Sequence, residues 1–399
     1  MSSVYIHIPY CISKCDYCDF FSVPCSKNLV PDEYVSSLCF EIEFFKDLIS
    51  PIETLYIGGG TPSLLSKKQL ESIFCALNKA GFEKNPEITY ELNPSDVTEE
   101  YLLALEKNGI TRLSLGLQSL SEKALSFVHR RSSLSDVKKS LEIVQKVWKK
   151  SFSVDLISSL PFESEEEFLS SLKELLFYNP SHISLYSLCV EEETVLGKKI
   201  NSGKIKYDFD LSDKIWLSGK DFLVENGFIH YEVSNFYRKE NGFPCRHNLS
   251  YWSLKDYFGF GSGATGSFFG KNGFRYTNTK DISQYINFWL KNEKPVLKKE
   301  NLKEIFKNFI PCDFENLPLK TQVFEFFMMS LRTLDGVNLS ELNKRFSYLI
   351  TEKVLNLFDR WISLKNARKY FKDGNEFFAL TEQGILFENK FLEEFLEVF

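Results

Sequence analysis

The chain of 399 residues lacks several features that define whole classes of protein. It contains no run of 18 apolar residues, so no membrane-spanning helix is predicted. Its first residues show no basic segment followed by an apolar one, so no secretory signal is predicted. A net charge of −6 disfavours a general nucleic-acid binder. We therefore expect a cytoplasmic protein whose nine cysteines are reduced thiols.

The second cysteine pair that would complete a zinc site is also missing. Cys11, Cys15 and Cys18 stand in a C-x3-C-x2-C spacing directly after a predicted strand. Thiolates are soft ligands, and such a group in a cytosolic chain indicates iron–sulfur chemistry or zinc. Structural zinc usually takes four protein ligands. Three cysteines can bind three irons of a cubane cluster and leave the fourth iron open. We favour the cluster and keep zinc as the alternative.

Strand-like and helix-like segments alternate along the first half of the chain. The predicted strands are 4–8, 54–57, 87–92, 112–115, 152–157 and 182–186. The predicted helices are 31–48, 66–79, 98–108, 135–149, 164–177 and 212–225. This alternation predicts an α/β fold with a parallel sheet and helical crossovers. The pattern alone leaves open whether the sheet closes into a partial (β/α)6 barrel or stays an open doubly wound sheet.

Polar residues and glycines follow the ends of successive predicted strands. The cysteines follow the first strand, Gly58-Gly59-Gly60 follows the second, and Glu91 ends the third. Gln118 lies past the fourth strand and Asp155 lies within the fifth. Such positions at the carboxyl ends of parallel strands form the active-site face of a barrel. The alternative is that the carboxylates are ordinary strand-end groups and the glycines an ordinary turn. No Lys-Ser/Thr follows the glycines, so they are not a phosphate loop.

The cysteine spacing, with Tyr17 before the third cysteine, resembles the radical S-adenosylmethionine (SAM) superfamily. The longer string YIHIPYC…CDYCDF resembles the branch that contains oxygen-independent coproporphyrinogen III oxidase and its heme-chaperone relatives. This resemblance implies a partial (β/α)6 TIM-like barrel. It also implies a 4Fe–4S cluster whose open iron is chelated by the amino and carboxylate groups of SAM.

The resemblance implies a set of SAM contacts by position. These are Tyr5 and Tyr17 beside the cluster and adenine, Gly59, Gly60 and Thr61 along the methionine part, Glu91 at the ribose or the substrate-side ligand, and Gln118, Arg130 and Asp155 completing the pocket. The chain departs from the family pattern in two places. Where relatives have Gly-Arg-x-His this chain has His129-Arg130-Arg131-Ser132, and where they have Tyr-Gly-Leu-Pro it has Ser158-Ser159-Leu160-Pro161.

A second motif lies in the middle of the chain. His247, Asn248, Tyr251 and Trp252 match the H-N-x-x-Y-W motif of the heme-chaperone subgroup. Histidine can ligate heme iron, and tyrosine and tryptophan offer flat apolar faces to a porphyrin. The alternative is a hydrogen-bonded core histidine beside packed aromatics. Cys245 is a possible second heme contact.

The last hundred residues have a different pattern. Segment 291–307 is charged and is predicted to be a connector. Helices are predicted at 319–331, 339–346 and 351–364, followed by a hairpin that turns at Asp373-Gly374. This order predicts a winged-helix-like module, serving as a packing or lid domain or as a partner-binding one. The predicted domains are 1–235 (radical SAM barrel), 236–300 (motif and glycine-rich connection) and 301–399 (winged-helix-like).

Three functions fit this sequence. The first is a heme chaperone that binds heme, a 4Fe–4S cluster and SAM, and passes heme to an acceptor protein. The second is the oxidase, which would make the chain a coproporphyrinogen dehydrogenase-type oxidoreductase; no catalytic residue is assigned. The third is a SAM enzyme acting on nucleic acid. We expect the chaperone, with no nucleic-acid partner and possible peripheral contact with membrane heme proteins. In the oxidase a fourth cysteine stands where this chain has Phe20, and an N-terminal extension is expected to be missing here.

Overall fold

Six parallel strands form the centre of the protein in a computed structural model that describes residues 2–25, 29–291, 293–346 and 349–399. They are β1 Ser2–Ile8, β2 Ile52–Gly59, β3 Phe82–Leu92, β4 Arg112–Gln118, β5 Ser151–Ser158 and β6 His182–Ser187. Each strand pairs in parallel with the next one in sequence. A doubly wound sheet would reverse direction at a switch point, so this order confirms the partial barrel. Residues 1, 26–28, 292, 347 and 348 of the predicted domains lie outside the described ranges.

Helices connect these strands and cover the outer face of the sheet. They are α1 Asp32–Ile49, α2 Lys67–Ala80, α3 Glu99–Lys107, α4 Glu122–Phe127, α5 Leu134–Val147 and α6 Glu165–Leu176. Ser66 and Thr98 cap α2 and α3 by accepting hydrogen bonds from backbone amides in the first turn. Such a cap stabilises a helix by about 1 kcal/mol, so the predicted starts of these helices are confirmed.

The two faces of the barrel strands differ in chemistry. Val4, Ile6 and Ile8 of β1 are fully buried in the main hydrophobic core together with Phe45 of α1. The alternate residues of the strands are polar and contact one another inside the barrel, as Tyr56 does with Glu91. Because side chains alternate along a strand, the outer face builds the core and the inner face builds a polar interior.

The sheet continues beyond both edges of the barrel. The added strands are β7 Phe228–Glu232, β8 Asn235–Arg238, β9 Tyr257–Phe260, β10 Thr265–Phe268, β11 Phe274–Asn278 and β12 Cys312–Asn316. β8 pairs with β6, and β9 pairs in parallel with β1. The twelve strands run in the order β12-β11-β10-β9-β1-β2-β3-β4-β5-β6-β8-β7. The outermost strands, β12 and β7, each pair with one neighbour and do not pair with each other in the described part of the chain, so the barrel is partial.

Five further helices follow the barrel strands in the chain and precede the C-terminal part. They are α7 Val195–Asn201, α8 Phe209–Glu225, α9 Arg246–Trp252, α10 Ile282–Lys291 and α11 Leu302–Asn308. The existence of α11 shows that the predicted connector is wrong in its second half. Phe306 of α11 is buried, with its ring centroid 5.3 Å from that of Phe45 and 3.7 Å from that of Tyr276. The charged residues around it obscured this packing face in the sequence.

The C-terminal part has the predicted winged-helix-like order. Its elements are α12 Leu319–Ser330, β13 Val337–Asn338, α13 Leu339–Phe346, α14 Glu352–Ser363, β14 Ala367–Lys372, β15 Asn375–Leu380, α15 Glu382–Ile385 and α16 Glu388–Val398. The hairpin turns at Asp373 and Gly374, whose φ angles of 50° and 76° suit a two-residue turn with both central residues left-handed. A separate hydrophobic cluster fills this part. Among the described residues no helix is long and apolar enough to cross a membrane.

Candidate functional site

A cavity of about 510 Å³ lies at the carboxyl ends of the barrel strands. It is lined by every residue predicted for the cluster and SAM except Tyr5: Cys11, Cys15, Tyr17, Cys18, Gly59, Gly60, Thr61, Glu91, Gln118, Arg130 and Asp155. These residues come from β2, β3, β4 and β5 and from the loops that follow β1, β2 and α4. The partial barrel therefore gathers residues that are up to 144 positions apart, from Cys11 to Asp155, around one space.

The cysteine loop carries hydrogen-bond donors aimed at its sulfurs. Thr61 Oγ1 donates to Cys11 Sγ at 3.3 Å, and an Arg130 guanidinium nitrogen donates to Cys15 Sγ at 3.6 Å. The Cys18 amide donates to the Cys15 carbonyl at 3.1 Å, which closes the loop. Donors of this kind stabilise thiolates and tune a cluster bound to them.

Three thiols that bind three different irons need not converge on one point. Among the described residues no three His, Cys, Asp or Glu side chains are placed to hold a single metal ion together. The three cysteines instead border a common cavity, and all three are free thiols. This donor set fits a cubane cluster better than the single zinc ion kept as an alternative above.

The glycine run permits close approach of the backbone on both sides. A Cβ at Gly60 would lie 2.7 Å from the Tyr10 carbonyl oxygen and 3.0 Å from Cys11 Sγ. A Cβ at Gly58 would lie 2.9 Å from the Glu91 carboxyl carbon. Side chains at these positions would collide with the cysteine loop and with a cavity carboxylate. The glycines therefore have a specific steric role beyond that of an ordinary turn.

Two carboxylates, those of Glu91 and Asp155, line the cavity. The Gly59 amide donates to Glu91 Oε2 at 3.2 Å, and Ser114 Oγ donates to Asp155 Oδ2 at 2.8 Å. Burial raises the pKa of Glu91 to about 7, and the nearby Asp155 charge adds to this rise. Burial also raises the pKa of Asp155. Negative charge on these two carboxylates suits a ligand with a cationic group.

Gln118 and part of the segment that departs from the family pattern, Arg130 and Arg131, also line the cavity. Gln118 has a φ of 71°, a strained backbone for a residue with a side chain, at a register shift in β4. The Gly116 carbonyl accepts a 2.6 Å hydrogen bond from Arg130. Ser132 Oγ donates to Asn93 Oδ1 at 2.6 Å, so the departing segment is built into the wall by its own hydrogen bonds.

Tyr5 is not among the residues that line the cavity, so its contact with the cluster and adenine stays a prediction. Its hydroxyl shares a 2.9 Å hydrogen bond with His7 Nδ1, deeper in the barrel. Conversely, Tyr56, Ser114 and Tyr186 line the cavity and were not predicted. All three stand on the inward face of barrel strands. The alternation of polar residues along these strands is the signal that points to them.

The H-N-x-x-Y-W residues lie at the other end of the barrel. His247 in α9 contacts residues near the start of the strands: its Nδ1 shares a 2.9 Å hydrogen bond with Thr54 Oγ1, and its amide donates to Glu87 Oε1 at 2.8 Å. Its Nε2 shares a 2.7 Å hydrogen bond with the Tyr251 hydroxyl. Only 1% of the side chain is exposed, and burial lowers its pKa to about 3. His247 can therefore bind iron only after one of these hydrogen bonds is broken.

The four motif residues do not form one surface. Tyr251 points with His247 into the barrel, whereas Trp252 lies under the Arg332 guanidinium, 5.9 Å from its ring centroid. The Trp252 carbonyl accepts a hydrogen bond from Ser330 of α12 at 3.2 Å. Asn248 is half-buried on the same helix. Heme contact by Asn248 and the other three therefore stays a prediction that this arrangement does not display.

Cys245, at the start of α9, is fully buried, and its thiol donates to Glu87 Oε1 at 3.4 Å. The same carboxylate accepts from the backbone amides of Arg246 and His247. Glu87 thus holds the start of α9 against the barrel floor, and Cys245 has a structural contact in this arrangement.

Comparison with known proteins supports the radical SAM interpretation of the cavity. The Radical SAM superfamily model matches residues 5–175, and the HemN C-terminal domain model matches residues 317–387. The heme chaperone HemW of Haemophilus influenzae is 32% identical over 401 residues, covering 99% of this chain and 97% of that protein. The heme chaperone HemW of Escherichia coli is 30% identical over 402 residues, covering 99% and 98%. The chain belongs to the HemW family of radical SAM proteins.

A solved structure supports the same fold. Coproporphyrinogen III oxidase (HemN) from Escherichia coli, a radical SAM enzyme, superposes with a TM-score of 0.76 over 98% of this chain and 89% of that one, at 20% identity. At that identity the likeness concerns the fold alone. Radical SAM membership implies a 4Fe–4S cluster and SAM, and the three cysteines and the glycine-lined cavity fit both.

Proposed function

We propose that this protein is a heme chaperone of the HemW family, which binds heme and passes it to an acceptor protein. The observation that carries this proposal is similarity to heme chaperones along almost the whole chain, and a cavity bordered by the three cysteines of the cluster motif supports it. The likeness to the oxidase concerns the fold. Shared folds often host different functions, so it does not outweigh the full-length relatives.

The proposed roles of the cavity residues rest on the resemblance to the radical SAM superfamily, and their chemistry is compatible with these roles. Cys11, Cys15 and Cys18 would each hold one iron of the cluster, which supplies an electron-transfer centre when bound. The backbone at Gly59, Gly60 and Thr61 would border the methionine part of SAM. Tyr17, Gln118 and Arg130 would enclose the remainder of the ligand. Glu91 and Asp155 would place negative charge near its amino and sulfonium groups.

The heme motif would act through a rearrangement of α9. His247 has two hydrogen-bonded ring nitrogens, and either Thr54 or Tyr251 must release one before iron can bind. Such release reduces the apparent affinity for heme by the fraction of molecules in the open state. A weak, releasable site suits a protein that must pass heme onward. The acceptor is proposed to dock near the C-terminal part, with which α9 is in contact.

The test is a heme titration of the anaerobically reconstituted protein followed by visible absorption, with apomyoglobin added afterwards as a generic acceptor. We expect a Soret shift on binding and the spectrum of holomyoglobin after transfer, formed faster than from free heme. The same preparation, reduced and given SAM and coproporphyrinogen III, should form no protoporphyrinogen. Product that scales with protein and disappears in the Cys15→Ala variant would instead support the oxidase.

A further inference from the structure

Tyr56 of β2 connects the cavity carboxylate Glu91 to the inside of the barrel. Its hydroxyl donates to Glu91 Oε1 at 2.8 Å, while the Gly59 amide donates to Oε2 at 3.2 Å. Each carboxylate oxygen therefore receives one donor from β2. Two donors on two oxygens fix the plane of the carboxylate and leave its remaining lone pairs for the cavity.

The Tyr56 ring is itself held in place by two neighbours. Its centroid lies 6.3 Å from that of Tyr5, with an interplanar angle of 30°, and 5.4 Å from that of the His247 ring, at 31°. Gly58 leaves the space that the carboxylate occupies, since a Cβ there would collide with it. The hydroxyl thus meets Glu91 from a fixed position and does not depend on a mobile side chain.

We propose that Tyr56 is a positioning residue that orients the Glu91 carboxylate, in its ionised form, toward the cationic part of the ligand in the cavity. This inference rests on the proposed binding of SAM, whose ammonium and sulfonium groups are the cations concerned. A hydrogen bond to an ionised carboxylate favours the charged form and fixes its direction. Tyr56 does not need to touch the reacting atoms to have this effect.

The surroundings of Glu91 explain why a donor is needed. Tyr5 from β1, Tyr56 from β2, Asp155 from β5 and Tyr186 from β6 lie within electrostatic range of its carboxylate. Burial and the Asp155 charge both favour the neutral acid. The Tyr56 and Gly59 hydrogen bonds oppose this effect, and with them the pKa of Glu91 is about 7. Loss of the Tyr56 donor would raise the pKa further and leave less carboxylate at neutral pH.

The test compares Tyr56→Phe with the wild type in anaerobic, cluster-loaded protein. SAM affinity is measured by titrating the electron paramagnetic resonance signal of the reduced cluster at pH 7 and at pH 9. We expect affinity about tenfold weaker at pH 7, the effect of losing a hydrogen bond to a charged group, and a smaller difference at pH 9. A merely structural role of Tyr56 would not produce this pH dependence.

Tyr285→Phe is the matched control. Tyr285 donates to Glu41, a second buried glutamate whose pKa is also about 7, in the core away from the cavity. This variant should be less stable but should bind SAM like the wild type. In a Glu91→Gln background, Tyr56→Phe should add little further loss, since the group that it positions is no longer a carboxylate.

The outcomes separate this inference from the proposed function. A wild-type protein without any SAM response would refute the proposed binding of SAM, whereas the heme titration tests the chaperone function separately. A wild type that responds, together with a folded and iron-loaded Tyr56→Phe variant of equal affinity at both pH values, would overturn the role of Tyr56. If Tyr56→Phe does not fold, Gly58→Ala displaces the same carboxylate from the other side. Unchanged SAM affinity in that variant would overturn the inference as well.

Discussion

The two ends of the barrel carry the two motifs of this chain, and they differ in whether their polar groups face an open cavity. At the mouth, the carboxyl end of the barrel strands, cysteine thiols and carboxylates face an open cavity of about 510 Å³. At the floor, the amino end of the strands, His247 is 1% exposed and each ring nitrogen has a hydrogen-bond partner. The mouth is thus arranged to receive a ligand, whereas the floor is arranged as a closed hydrogen-bonded joint.

This difference shows what a sequence motif can and cannot specify. The three cysteines lie within eight residues of one loop, so their spacing nearly determines that they share a ligand. The H-N-x-x-Y-W residues lie on a two-turn helix, where neighbouring positions point in different directions. Which of them face a ligand depends on what packs around the helix. Here His247 contacts the barrel residue Thr54, and Trp252 contacts Arg332 of the C-terminal part.

The largest expected effect is at the mouth. Reconstituted protein should bind about four irons, and replacing Cys11, Cys15 or Cys18 with Ala should abolish the brown chromophore. Cys39→Ala and Cys75→Ala are controls that should keep it, because these thiols lie on α1 and α2 outside the cavity. Iron content and absorption check both. Equal loss in the control variants would show that the ligands are assigned wrongly.

Gly60→Val should be the next largest effect. The new side chain meets the Tyr10 carbonyl and the Cys11 sulfur, so we expect SAM affinity about 100-fold weaker, in line with the cost of overpacking. The measurement is again the electron paramagnetic resonance titration of the reduced cluster. Ser72→Val is a control, because Ser72 lies on the exposed face of α2 and does not line the cavity. A normal SAM response in Gly60→Val would show that the backbone at Gly60 does not border the SAM site.

The two ends should have opposite effects on stability as pH changes. Glu91 has a pKa of about 7 in the folded protein and 4.5 as the reference, so its contribution to stability is present below pH 4.5 and is lost as pH rises through 7. His247 has a pKa of about 3 against 6.5, so its contribution is present above pH 6.5 and is lost as pH falls toward 3.

Urea unfolding of Glu91→Gln and His247→Gln from pH 5 to pH 8 tests this contrast. The wild type should lose about 2 kcal/mol of unfolding free energy as the pH rises from about 5 to about 8, and Glu91→Gln should not show this loss. The value is smaller than the full pKa shift implies, because solvent in the cavity screens the carboxylate. His247→Gln should remove a loss toward low pH. Comparison at equal cluster loading cancels the pH response of the cluster itself. Parallel curves for both variants would contradict the assignment.

The smallest expected effect concerns the closed floor. Thr54→Val removes the hydrogen bond at His247 Nδ1 and keeps the imidazole. If His247 binds heme after release, this variant should bind heme about fivefold more tightly, because one hydrogen bond of about 1 kcal/mol no longer competes. His247→Ala should lose or alter the Soret shift. Wild-type heme affinity in Thr54→Val together with a wild-type Soret shift in His247→Ala would return His247 to a structural role.

Much of the local structure could be predicted from neighbouring residues. Ser66 and Thr98 cap their helices, and Asp373-Gly374 forms the hairpin turn, since these effects act over a few residues. The burial of α11 could not be predicted from its charged surroundings. Phe306 is part of the core because Phe45, far away in sequence, provides a stacking partner.

The sequence by itself determined the alternation of strands and helices, the cysteine loop and the family to which the chain belongs. The tertiary structure alone decided where the H-N-x-x-Y-W motif lies relative to the barrel. His247 meets Thr54 across 193 positions, and Tyr56 meets Glu91 across 35. Local patterns follow from backbone geometry and adjacent side chains, whereas such contacts follow from how whole strands and helices pack. The pairing of Tyr56 with the cavity carboxylate, and the closure of the heme motif, belong to that second level.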